Sequence, residues 1–302
     1  MLPASGTIVP LVTPFDGEDR VDVAALNRLV AFIVQEGADA LMPTALTGEG
    51  PLLTADETIA VWEATFAANR NGLPIVPAVI TTTTREAVRL ARRAHALGAA
   101  GLMVAPIVPE LYAGRSHTDV RRFYAEVADA SPLALVAFNY PSLTGVDLTP
   151  EFLAELAGIE RLRYVKESTS DSRRVHAIHR RCGDRLTVIC GNPNAAFESI
   201  ALGCPLWITG IMNVVPGEAK RMFHLLRDRR DLAAAREIYY GAILPLVDLM
   251  FATRNPTGTI KAGLRARGVD VGIPRRPGSD IPAESAGWLA TFAGRVAAAA
   301  RG

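Results

Sequence analysis

Residues 133–140 read LALVAFNY, apolar from Leu133 through Phe138 with no alternation of wet and dry positions. A strand of this kind is covered on both faces, as in a parallel sheet flanked by helices. Seven further runs share the character: TIVPLVTP from Thr7, ADALMPT from Ala38, PIVPAVI from Pro74, AGLMVAP from Ala100, LRYVK from Leu162, LTVICG from Leu186 and LWITGI from Leu206. Between them lie stretches such as VAALNRLVAFIVQEG and TREAVRLARRAHALG, whose apolar residues recur three and four apart and which end in glycine, as helices do. Eight strand–helix units in series favour an α/β fold closed as a (β/α)8 TIM barrel over an open doubly wound sheet. From about Pro216 only helical patterns follow, ending in WLATFAGRVAAAA. The barrel is therefore assigned to 1–215 and a C-terminal helical region, packed on it as an extension, to 216–302.

Bulk properties exclude several classes. The chain has 302 residues, with 32 basic and 31 acidic side chains and a formal charge of +1. No overall field draws it to nucleic acid or to an anionic membrane. Cys182, Cys190 and Cys204 are odd in number and lack paired metal or redox spacing, which fits free structural thiols. His176 and His179 stand among arginines that would repel a metal ion, so a solvated basic face is expected there and no metal site. The N-terminus has no basic and apolar leader pattern and no apolar run reaches about 18 residues. A cytoplasmic location is expected.

In a barrel of this type chemistry collects at the C-terminal ends of the strands. Lys166 ends the sixth strand, in RYVKEST. An amine held against an apolar strand loses hydration, which lowers its pKa and makes it a nucleophile toward carbonyls; the alternative is a surface lysine at a strand terminus. The second strand runs into ALTGEG, a turn whose backbone N–H groups and Thr47 hydroxyl suit a carboxylate. The fifth runs into FNYPSLTG.

The order of GTIVPLVTPF, the ALTGEG turn, FNYPSLTG and VKE resembles the dihydrodipicolinate synthase and N-acetylneuraminate lyase family. The resemblance continues through GNPNAAFESIALGCPLWITGIMNVVP, NPTGTIKAGLRARG and RRP at Arg275 to Pro277. It implies a barrel with a C-terminal helical region, a homo-oligomer (tetramer or dimer), no cofactor, and lyase chemistry on pyruvate or another 2-oxo acid through a Schiff base on Lys166. It also implies that Leu46 and Thr47 hold the substrate carboxylate and that Ile208 and Thr209 line the pocket.

Several positions depart from the family pattern. Leu46 replaces a hydroxyl residue, Phe138 stands where the family has its acid–base tyrosine, and Leu143 stands where the synthases carry a carboxylate-binding arginine. After the fourth strand Ala105, Pro106, Ile107 and Val108 replace a tyrosine-bearing segment. A phenyl ring has no ionisable proton. Tyr140, two residues on and facing the same side, is the first substitute, with packing as its other role; Tyr112 is a second, and Glu49 is expected to brace the turn. Gly191 and Asn194 follow strand seven without the acidic residues that suit polyol binding. The expected function is an aldolase or dehydratase acting on a 2-oxo acid, with substrate-binding Phe138 in an apolar pocket. A catalytically impaired 2-oxo-acid-binding or regulatory barrel is the alternative, and 4-hydroxy-tetrahydrodipicolinate synthase a remoter one.

Overall fold

The computed structural model describes residues 1–106 and 116–299, and Tyr112, Ile107 and Val108 lie outside them. Eight strands form one parallel sheet: β1 Gly6–Pro10, β2 Ala40–Met42, β3 Ala78–Thr81, β4 Leu102–Pro106, β5 Leu135–Asn139, β6 Leu162–Glu167, β7 Thr187–Cys190 and β8 Leu206–Ile208. Each pairs with its sequence neighbour, and β1 pairs with β8. The remaining seam, between β2 and β3, is joined by a parallel bridge of Leu41 with Ile75, by Val76 N–H donating to Leu41 C=O at 2.8 Å and by Ala78 N–H donating to Pro43 C=O at 3.0 Å. The sheet is thus a (β/α)8 barrel.

Two apolar layers follow from the strand period of two. Ile8, Met42, Ala78, Met103, Val136, Ile189 and Leu206 fill the barrel. Their neighbours, among them Val9, Leu41, Val104, Leu135, Val165 and Trp207, face outward into the helix layer. That explains the lack of alternation in the sequence, since both faces of the sheet are covered along most of each strand. Helices between strands start where caps satisfy their first amides: Thr54 and Glu57 form a reciprocal capping box at Ala55–Ala68, and Asp22 accepts from Ala25 N–H at 2.9 Å before Val23–Gln35.

The helix after β8, Pro216–His224, packs against β1 and occupies the place of the barrel's eighth helix. Helices Leu232–Ile238 and Leu244–Ala252, joined by a π-helical stretch, follow it, then Pro256–Ala266 and Ala283–Ala299. Asn255 caps Pro256–Ala266 by accepting from Gly258 N–H at 2.9 Å. The three cysteines are free and buried. No described helix is long and apolar enough to cross a membrane.

One buried amide ties the end of β8 to β1. Asn213 accepts from Val12 N–H at 3.3 Å and donates to Pro10 C=O at 2.8 Å and Gly210 C=O at 2.9 Å. Replacing Asn213 with Ala strands three backbone groups in a dry site, each costing about 1–3 kcal/mol when buried and unpaired. Asn213→Ala should lower the urea unfolding midpoint, followed by far-UV circular dichroism, well beyond the effect of an exposed substitution such as Asn194→Ala.

Candidate functional site

Strand parity decides what the C-terminal ends deliver. On β6, Tyr164 belongs to the interior and Val165 to the helix layer, so Lys166 returns to the interior. On β5 the same rule turns Phe138 inward, and Phe138 and Lys166 are partners in the ladder. Lys166 Nζ lies 4.3 Å from the centroid of the Phe138 ring.

Lys166 is only 7% exposed, and among the described residues no carboxylate forms an ion pair with it. Desolvation pushes its pKa down to about 8. The neighbouring Cys190 supplies no counter-charge at that pH, because burial pushes its own thiol up to about 12. Lys261 makes the contrast. It is fully buried, but its Nζ pairs with Glu49 Oε1 at 2.7 Å and donates to Ile273 C=O at 2.9 Å. Burial lowers its pKa too, and the Glu49 charge opposes that shift. One buried lysine is neutralised by a partner and the other is left bare.

The Lys261–Glu49 pair supports the turn after β2. Glu49 has a left-handed backbone, φ 57°, and its second carboxylate oxygen accepts from Arg275 N–H at 2.8 Å. Thr13 Oγ1 donates to Gly48 C=O at 2.6 Å. Thr47 packs against the Gly210 backbone, where an added Cβ would lie 2.8 Å from Thr47 Oγ1. Glu49 N–H donates to Leu46 C=O at 3.0 Å, and among the described residues no protein acceptor takes the amides of Leu46 or Thr47. These amides and the Thr47 hydroxyl can receive a carboxylate.

On the outer face next to Lys166 a polar cluster ties β5 to β6. Glu167 accepts from Asn139 Nδ2 at 2.8 Å, Thr169 N–H at 2.7 Å and Arg174 Nε at 3.1 Å. Arg174 also reaches Asp147 at 2.7 Å, and Asn139 Oδ1 accepts from Leu148 N–H at 3.0 Å. The segment carrying Tyr140 and Leu143 is therefore anchored at both ends.

A cavity of about 370 Å³ opens above the barrel. Its wall includes Leu46, Thr47, Phe138, Tyr140 and Lys166, which sequence reasoning placed in the site. The Tyr140 ring lies 5.9 Å from that of Phe138. Leu143 packs half-buried on the interior cluster. Ile208 is fully buried inside the barrel and does not reach the wall, whereas Thr209 does; the strand parity that turns residue 208 inward puts it beneath the opening. After β7, Gly191 and Asn192 line the cavity, while the Asn194 C=O accepts from Tyr239 Oη at 2.9 Å. Sequence reasoning missed Ser168, two residues past the lysine, for which parity was an available signal. It also missed Met250, Phe251, Thr257 and Ile260 of the C-terminal helices, which carry no local mark.

Fold and site together define a (β/α)8-barrel protein with a bare lysine at the C-terminal face of the barrel. Comparison places it further. Residues 3–290 match the model of the dihydrodipicolinate synthetase family. A 4-hydroxy-tetrahydrodipicolinate synthase of Sorangium cellulosum is 36% identical over 270 residues, covering 88% of this chain and 87% of that one. The crystal structure of dihydrodipicolinate synthase from Aquifex aeolicus superposes with a TM-score of 0.88 at 29% identity, over 96% of this chain and 97% of that one. A sialic acid aldolase of Ruminococcus gnavus shares the fold, with a TM-score of 0.90 at 19% identity over 97% of this chain and 98% of that one. The chain belongs to the dihydrodipicolinate synthetase family, which includes lyases that work through a Schiff base, and it is a lyase of that family.

The bare amine has a thermodynamic cost. It titrates near 10.5 when unfolded and near 8 when folded, so between these values the unfolded chain holds the extra proton and stability rises with pH. At pH 7 the burden is about 3 kcal/mol. Lys166→Met is expected to raise the urea midpoint at pH 7 and to abolish the rise in stability between about pH 8 and 10.5; a lower midpoint at pH 7 would contradict an uncompensated amine.

Proposed function

We propose that the protein is a class I aldolase or dehydratase that binds a 2-oxo acid as a Schiff base on Lys166. The observation that carries this is the buried amine without a counter-ion, facing a cavity whose opposite edge offers free turn amides. The neutral amine attacks the 2-oxo carbon while the substrate carboxylate rests on the amides of Leu46 and Thr47 and the Thr47 hydroxyl. Loss of water gives an iminium, whose charge faces the Phe138 ring, an arrangement that favours a cation. The iminium then takes up the electron pair of a breaking C–C bond, giving an enamine that is protonated at carbon, or that of the neighbouring C–H bond, giving an enamine that expels a hydroxyl as water; hydrolysis of the product imine frees the lysine.

The lining favours a less polar fragment than a sugar. Leu46, Phe138, Met250, Phe251 and Ile260 present apolar surface around the polar groups. With Leu143, half-buried on the interior cluster, in place of the synthases' arginine, a dicarboxylate product is a poor fit, although curated relatives are named 4-hydroxy-tetrahydrodipicolinate synthase. A second reading, 2-oxo-acid binding without efficient turnover, is favoured by the phenyl ring at 138, which cannot move a proton.

Incubation with pyruvate, borohydride reduction and intact-mass measurement should yield a single adduct in the wild type and none in Lys166→Ala. An undiminished adduct in that variant contradicts the assignment. Below about pH 8 the neutral amine fraction, and with it the rate of adduct formation, should rise about tenfold per pH unit, levelling above that value. In a panel of pyruvate-derived aldols, those of aromatic or branched aliphatic aldehydes should turn over faster than polyhydroxylated ones. Turnover of the polyhydroxylated compounds alone contradicts the apolar subsite, and adduct without turnover of any aldol or dehydration substrate supports the binding reading.

A further inference from the structure

Ser168 stands two residues beyond Lys166 and lines the same cavity. Its backbone is fixed on both sides: its N–H donates to Asn139 C=O at 3.0 Å and its C=O accepts from Asn192 Nδ2 at 3.3 Å. Its hydroxyl has no protein partner although it is closed off from solvent. Among the described residues Ser131 Oγ, Thr169 Oγ1 and Trp207 Nε1 share that condition, but none of them lines the cavity. A buried hydroxyl left unpaired at a reactive site is accounted for by a ligand or a reaction intermediate that pairs with it.

Gly191 brings the hydroxyl and the lysine together. An added Cβ there would lie 2.2 Å from Ser168 Oγ and 2.8 Å from Lys166 Cγ, so both side chains pack over one bare backbone carbon. A side chain at 191 would push them apart. Meanwhile Phe138, the ring nearest the amine, has no proton to give.

We propose that the Ser168 hydroxyl relays the proton in imine formation at Lys166, an assignment that rests on the Schiff-base reading. Attack of the neutral amine on the ketone leaves an alkoxide and an ammonium on one carbon. Ser168 gives its proton to the alkoxide as it takes one from the ammonium, and so ends unchanged. A second proton, taken up in the open cavity, lets the carbinolamine oxygen depart as water while the C–N double bond forms. The sum is amine, ketone and one proton going to iminium and water.

The test is a rapid-quench time course of pyruvate adduct formation, trapped with borohydride and read by intact mass, in the wild type, Ser168→Ala and Ser168→Thr. Since its hydroxyl bonds no protein group, Ser168→Ala should keep the wild-type unfolding midpoint and the final adduct yield. Its rate should fall by about 10²-fold, the size of a lost positioned proton donor. The residual rate should also climb with the concentration of an imidazole buffer, which replaces the missing donor, whereas the wild-type rate should not. Ser168→Thr should restore the rate. A wild-type rate in Ser168→Ala overturns the proposal, as does a slow rate that neither imidazole nor threonine rescues. Absence of adduct in the wild type overturns the Schiff-base reading itself and the relay with it, which keeps the two failures apart.

Discussion

Closure of the ring is the constraint from which the rest follows. Once the Leu41–Ile75 bridge joins β2 to β3, the ring is closed and the apolar strand residues face either the packed interior or the helix layer. Short strands of three to six residues leave little room for polar groups along their length. Chemistry is confined to the last inward residue of each strand and the turn beyond it. Lys166, Phe138 and the Leu46–Thr47 turn converge because they occupy these positions on neighbouring or facing strands.

The two buried lysines show how the fold pairs one amine and leaves the other bare. Removing an ammonium from water is costly unless a counter-ion and further acceptors replace the hydration. Lys261 has both, in Glu49 and the Ile273 carbonyl, and so can hold the carboxylate turn against the C-terminal helices. Lys166 has an aromatic face and an apolar strand, and the same physics lowers its pKa toward the value a nucleophile needs. Glu167 could have neutralised it. As the next residue along the strand it faces outward, where Asn139, Thr169 and Arg174 occupy its oxygens.

Periodicity made the fold legible because each of the eight apolar runs is one strand, and the wholly apolar pattern reports the two dry faces directly. The strand-borne part of the candidate site was legible through the period of two, which turns Lys166 and its ladder partner Phe138 inward. Ile208 shows where this fails, since a strand end located to within one residue leaves its inward or outward sense open, and residue 208 lies beneath the cavity that residue 209 touches. The wall built by Met250, Phe251 and Ile260 is a different matter. Those residues sit on helices whose approach to the barrel depends on long-range packing, and their local pattern is that of any core-facing helix. Ser168 was hidden by its ordinariness, because a serine after a strand reads as a turn residue until its hydroxyl is seen to be buried without a partner.

A phenylalanine beside the reactive amine looks at first like a loss, yet a tyrosine at that point would serve two separable purposes. The ring face stabilises a cation, and the hydroxyl moves a proton. Phe138 keeps the first, with its ring centroid 4.3 Å from the amine. In the proposed relay the second falls to a hydroxyl on the lysine's own strand end, set beside the lysine stem by the bare Gly191 backbone. This division has a consequence for the cavity. A tyrosine hydroxyl beside the amine would need its own relay partners and the water that accompanies them, whereas a phenyl ring leaves that side of the pocket dry. A dry wall beside the iminium disfavours hydrated, polyhydroxylated fragments and favours those that lose little on leaving water. On the proposed reading, the substitution at 138 and the apolar surface of Met250, Phe251 and Ile260 belong to one adaptation, toward an apolar partner for the 2-oxo acid.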